Sequence, residues 1–167
     1  ASLMHSYYRD AESTAACMAD GWLDTGDMGY MAEGYLFIVG RAKDMIIING
    51  KNHWPQDIEW AVEQLPGFNH GDIAAFSVEM DNGEEAPAVL VHCRVSDEVK
   101  RIELRDMIRD KVRSITGMNC IVELVPPRTL PRTSSGKLSR AKAKKLYLSG
   151  EIEPFKLAAG ASRNGAQ

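Results

Sequence analysis

Long hydrophobic runs are missing from this sequence. Runs such as Met45-Ile46-Ile47-Ile48 fall far short of the roughly 20 apolar residues that span a bilayer. No signal peptide is visible. Cysteine is scarce: Cys17, Cys93 and Cys120 are odd in number, widely spaced and free of CxxC pairing. That pattern excludes a disulfide framework and a zinc site and fits a reducing cytoplasm. His5, His53, His70 and His92 show no ligand spacing, so no metal centre is expected from them. A P-loop is also lacking: Gly136 has no glycine five residues before it, and Leu138 stands where Ser or Thr belongs. There is no internal repeat.

What is present reads as a soluble globular protein, with 44% apolar and 26% charged residues in 167. That length suits one domain, or one domain plus a fragment. The net charge of -3 argues against a nucleic-acid binder, but its distribution is uneven. Seven Lys and Arg and no acid fall in residues 126–145, leaving 13 basic residues against all 23 acids elsewhere. The chain starts at Ala1 in what reads as the middle of a pattern, and the part before Arg41 is expected to lack a core of its own. The expectation is the end of a longer polypeptide.

Periodicity and turn residues place a short helix over 10–18, stopped by Asp20-Gly21, then strands over 22–25, 35–40 and 45–49. Pro55 opens a helix whose Ile58, Ala61, Val62 and Leu65 share one face before Pro66-Gly67 ends it. Strands over 72–78 and 88–94 flank the turn Asp81-Asn82-Gly83. Ser96 is the expected N-cap of a helix reaching Ile115, with Leu104, Ile108, Val112 and Ile115 facing inward and Gly117 closing it. A strand over 120–125, a proline-rich loop over 126–136 and a basic helix over 139–148 complete the order, and the tail from Glu151 is expected to fray. The fold class is α+β: a small domain with a mostly antiparallel or mixed three-stranded sheet packed by helices, preceded by a short β-rich remnant. The expected boundaries are 1–42 for the remnant of a larger amino-terminal domain, 43–150 for a mobile carboxyl-terminal domain, and 151–167 for a flexible tail.

Three segments have a pattern suited to chemistry. In Gly21-Trp22-Leu23-Asp24-Thr25-Gly26-Asp27, a tight turn aims the Asp27 carboxylate outward, where it suits a vicinal diol such as ribose. Taken alone, the plainer reading is an ordinary turn rich in Asp and Gly. In Gly40-Arg41-Ala42-Lys43-Asp44, Arg41 offers fixed donors to a hydroxyl or phosphate; the plainer alternative is a surface ion pair of Arg41 or Lys43 with Asp44. Gly50 then opens a polar and aromatic loop, Lys51-Asn52-His53-Trp54, in which His53 reads as a structural hydrogen-bonding residue rather than a base. In Pro131-Arg132-Thr133-Ser134-Ser135-Gly136-Lys137, a mobile loop rich in hydroxyls presents one lysine to an anion. The plain alternative is a solvated basic loop.

In this order and at these separations, GWLDTGD, GRAKDMIIINGKNHWPQDIE and PRTSSGK resemble the adenylate-forming superfamily of acyl-CoA synthetases, nonribosomal-peptide adenylation domains and luciferases. The resemblance covers residues 21–148. It implies an ATP-dependent acid ligase whose large amino-terminal domain binds ATP with Mg²⁺ and the acid, closed over by a small mobile domain. It further implies that Asp27 and Arg41 contact the nucleotide, that Lys43 is the hinge, and that Lys137 is catalytic in adenylation. The loop with Gly50 and His53 would face the site during thioester formation. Asn52-His53-Trp54-Pro55-Gln56-Asp57-Ile58-Glu59 is most similar to fatty acyl-AMP ligases, with Lys51 where that pattern has Arg. The implied partners are a fatty acid, ATP or AMP, and the phosphopantetheine of an acyl carrier protein, with coenzyme A as the alternative acceptor. Neither nucleic acid nor a membrane span is expected, and a fragment of this extent should be inactive alone.

Overall fold

The computed structural model describes residues 3–48, 50–80, 83 and 85–157. Two compact units divide after Lys43. The first contains α1 (Ala11–Cys17), capped by Asp10, whose side chain accepts the Ser13 N–H. Two antiparallel hairpins follow, β1 (Met18–Ala19) with β2 (Trp22–Leu23) and β3 (Asp27–Ala32) with β4 (Tyr35–Arg41). Asp20-Gly21 and Glu33-Gly34, all at positive φ, make their turns. Paired positive φ values match the twist of the strands they join. Residues 42–44 then form a single 3₁₀ turn.

The second unit begins with the hairpin of β5 (Ile46–Ile48) and β6 (Lys51–His53), where Ile46 pairs with His53. The expected loop from Gly50 is therefore largely a strand; Asn49 lies outside the described residues. Pro55 occupies the first turn of α2 (Pro55–Glu63), where its missing N–H costs nothing. The central sheet has the order β7 (Ile73–Glu79), β8 (Glu85–His92), β9 (Ile121–Val125), antiparallel then parallel. A parallel partner requires a long crossover, and α3 (Glu98–Thr116) supplies it. Asp81 and Asn82 of the expected turn between β7 and β8 lie outside the described residues.

Both faces of this sheet are covered, which is why its strands read as continuous apolar runs rather than alternating ones. On one face Ile73, Ala75, Val89, Val91, Val122 and Leu124 pack with Ile58 and Val62 of α2 and Ile108 and Val112 of α3. On the other, Ala74, Phe76, Val78, Ala88 and Leu90 pack with Leu130, Ile152 and Ala143 of α4 (Arg140–Leu148). The expected α+β class and mixed three-stranded sheet are observed. Three local expectations are corrected. Asp97, not Ser96, caps α3, its carboxylate accepting the Lys100 N–H at 2.9 Å. Ile115 is exposed, and Thr116 is the buried residue of that last turn. Residues 151–157 do not fray: the Phe155 N–H donates to Leu124 O at 2.8 Å and its ring lies 3.6 Å from the Arg101 guanidinium carbon. Among the described residues no helix is long and apolar enough to cross a membrane.

Candidate functional site

In the first unit Asp27 and Arg41 are directly opposed in the β3–β4 ladder. Arg41 Nε lies 3.1 Å from Asp27 Oδ1, with both side chains partly open to solvent. The turn before them is fixed by its own side chains. Asp24 accepts the Gly26 N–H at 2.8 Å, and Thr25 Oγ1 accepts the Asp27 N–H at 3.1 Å. The alternative pairing of Arg41 or Lys43 with Asp44 does not occur; Asp44 instead meets Arg140 at 3.6 Å.

The second unit presents Lys137 on a short hairpin rather than a slack loop. Arg132 and Leu138 form a bridge. Within it the Thr133 N–H donates to Lys137 O at 2.8 Å, the Gly136 N–H to Thr133 O at 2.9 Å, and the Lys137 N–H to Thr133 Oγ1 at 3.2 Å. Serine and threonine suit such a turn because their hydroxyls bond to nearby backbone. The base of the hairpin is clamped to the domain at three points. Arg132 donates to Gly136 O at 2.9 Å and to Gly71 O at 3.2 Å. The Leu130 N–H donates to His92 Nε2 at 3.0 Å. Arg140, the first residue of α4, donates twice to Glu59, both at 2.6 Å. Glu59 also accepts the Ala75 N–H at 3.0 Å. The Lys137 side chain is exposed and has no hydrogen-bond or ion-pair partner among the described residues. It borders a cleft of about 390 Å³ with Glu59, Glu63, His70, Arg132 and Arg140.

Charge in this support is tightly matched. Burial pushes the Glu59 carboxyl upward while the two Arg140 bonds pull it down. The same bonds raise Arg140, so the pair remains ionised. Burial lowers His92, opposed by Asp72 and reinforced by Arg94 and Arg132. A neutral ring is required geometrically as well: Nε2 accepts from Leu130, leaving the proton on Nδ1, 3.4 Å from Asp72 Oδ1.

Gly50 makes the β5–β6 turn at φ +71, and His53 ends β6. His53 Nε2 and the neighbouring Gln56 Oε1 are buried without hydrogen-bond partners. Asp27 and Arg41 are thus brought together in one unit, and Lys137, Gly50 and His53 belong to the other. The sequence reading missed Glu59, His92, Arg132 and Arg140. Glu59 alone gave a local signal, an acid beside Ile58 on the buried stripe of α2; its partner Arg140 is 81 residues away. Among the described residues no group of three or more His, Cys, Asp or Glu side chains is placed to hold a metal ion.

The comparisons with known proteins agree with this architecture. A Caulobacter vibrioides protein named as a putative acyl-CoA synthetase is 46% identical over 89% of the chain and 26% of its own length. A long-chain-fatty-acid–AMP ligase of Mycobacterium marinum is 38% identical over 77% of the chain and 22% of its own length. A solved structure from work on fatty acyl-adenylate ligases of E. coli and L. pneumophila superposes with a TM-score of 0.78 at 44% identity, covering 90% of this chain and 26% of that one. The chain therefore spans about a quarter of the length of these relatives. A family model, AMP-binding enzyme C-terminal domain, matches residues 50–145. With the hairpin, clamp and sheet that those residues build, the chain belongs to the carboxyl-terminal domain family of the adenylate-forming, AMP-binding enzymes.

Proposed function

We propose that this chain is the closing, carboxyl-terminal part of a cytoplasmic fatty acyl-AMP ligase, and that Lys137 serves its adenylation step. The observation that carries this reading is an exposed, unpartnered ammonium on a hairpin with a clamped base. In adenylation a carboxylate oxygen attacks the α-phosphorus of ATP, the bond to the bridging oxygen breaks, and pyrophosphate leaves. Negative charge crowds at the reacting centre, and a preorganised cation there is worth about 10²–10³ in rate. A lysine already neutralised by a carboxylate partner would be a poor donor. Asp27, held by Arg41 on one oxygen, keeps its other oxygen for the ribose hydroxyls, and Arg41 lies beside it for the nucleotide.

In the second step the acyl carbonyl is attacked by a thiol and AMP leaves. Here Lys137 withdraws by rotation about Lys43, and the hairpin with Gly50 and His53 takes its place. The preferred thiol is the phosphopantetheine of an acyl carrier protein. The 46% identity to a protein described as an acyl-CoA synthetase favours coenzyme A as the second reading. The isolated chain, lacking the remaining three-quarters of its relatives' length, turns over neither step.

The test incubates the full-length protein with a fatty acid and ATP, then with holo-carrier protein or coenzyme A. Pyrophosphate release with acyl-AMP, followed by thioester on the carrier, is the expected result. Thioester on coenzyme A alone would move the protein to the acyl-CoA ligases. No pyrophosphate with any carboxylic acid would overturn the proposal.

A further inference from the structure

A second cleft, of about 630 Å³, lies between residues 127–132 and the side chains of Asp72, His92 and Arg94. Of the residues around Lys137 it shares only Arg132. Its charge is lopsided, with Arg94, Arg128 and Arg132 set against the single carboxylate of Asp72. Asp72 is already saturated: Arg94 donates to its two oxygens at 2.7 and 3.0 Å, and the Asn69 N–H donates at 2.9 Å. Arg132 donates only to neutral carbonyls, so its charge is not cancelled. His92 is neutral and adds none. About two positive charges are therefore left over.

Arg128 is the uncommitted member. It is exposed and has no hydrogen-bond or ion-pair partner among the described residues. Its backbone is nonetheless held at φ +68, a region that residues other than glycine seldom enter. A small turn imposes this conformation, with the Thr129 N–H and Oγ1 both donating to Pro126 O, at 3.3 and 2.7 Å. Strain of this kind persists where the surroundings enforce it and gathers at ligand-binding positions.

We propose that this cleft binds a phosphoryl dianion, gripped by Arg128 in the field of Arg94 and Arg132. A guanidinium presents paired N–H donors that match phosphate oxygens, and two uncompensated positive charges match the charge of the group. Inorganic phosphate and a phosphate monoester carry the same chemistry. The inference is independent of the role given to Lys137.

Isothermal titration of the full-length protein at low ionic strength tests it, with inorganic phosphate and 4′-phosphopantetheine as separate probes. Arg128→Gly removes the cation while accepting φ +68 without strain, so the fold is retained, which the thermal midpoint checks. The wild type should bind one equivalent more than Arg128→Gly, or bind at least tenfold tighter, with Arg128→Lys in between and added salt weakening the difference. Tighter binding of phosphopantetheine identifies an ester as the natural occupant; equal or stronger binding of phosphate identifies the free anion. Identical isotherms for wild type and Arg128→Gly with both probes would overturn the proposal.

Discussion

Burial alone would raise the carboxyl of Asp72, yet the Arg94 and Asn69 bonds outweigh it and hold the group at about 2, below its ordinary 3.8. A carboxyl depressed in the folded state stabilises fully above its unfolded value and loses that contribution as pH falls toward the folded one. On the order of 2 kcal/mol should disappear as pH drops from near 5 to 2. Urea midpoints across that range should fall steeply for the wild type and less for Asp72→Asn. His92 acts in the same direction at higher pH. Its folded value lies below the ordinary 6.5, so stability present above pH 6.5 declines below it. Protonation would place an N–H on Nε2 against the Leu130 N–H it now accepts. His92→Ala orphans that buried donor and should cost about 1–3 kcal/mol in denaturant unfolding.

At the level of elements, the central sheet and the two helices on one of its faces were legible because their signals are local. IAAF and AVLV are apolar and contiguous, and Gly117 ends α3 in the left-handed conformation at φ +73. The boundaries were less so. Ser96 and Asp97 are both good caps by residue type, and only the carboxylate's bond to the Lys100 N–H decides between them. Asp97→Ala should therefore lower stability by about 1 kcal/mol, whereas Ser96→Ala should change it by a few tenths at most, measured by thermal unfolding. Ile115 against Thr116 is a matter of whether the stripe advances by three or four after Val112, which sequence spacing leaves open. The strands β3 and β6 were passed over because β3 is almost wholly exposed and β6 is three polar residues long. Neither shows the apolar alternation by which strands are recognised. The motif residues Asp27, Arg41 and Lys137 could be named from pattern, but the groups that hold the Lys137 hairpin could not. Arg140 and Glu59, or His92 and Leu130, meet only through the fold.

Across the whole molecule, the division after Lys43 falls inside the 3₁₀ turn of residues 42–44. If rotation there separates two reactions, restricting φ at that residue should separate them too. Lys43→Pro in the full-length protein should leave one half-reaction near wild-type rate and depress the other by tenfold or more, followed by single-turnover assays. Unchanged rates in both would remove the hinge. The most direct measurement concerns Lys137 itself. Pyrophosphate exchange by full-length Lys137→Ala should fall about 10²–10³-fold, while acyl transfer from supplied acyl-adenylate to the thiol acceptor should fall far less. Equal losses in the two half-reactions, or no loss in exchange, would contradict a cation that acts in adenylation and then withdraws.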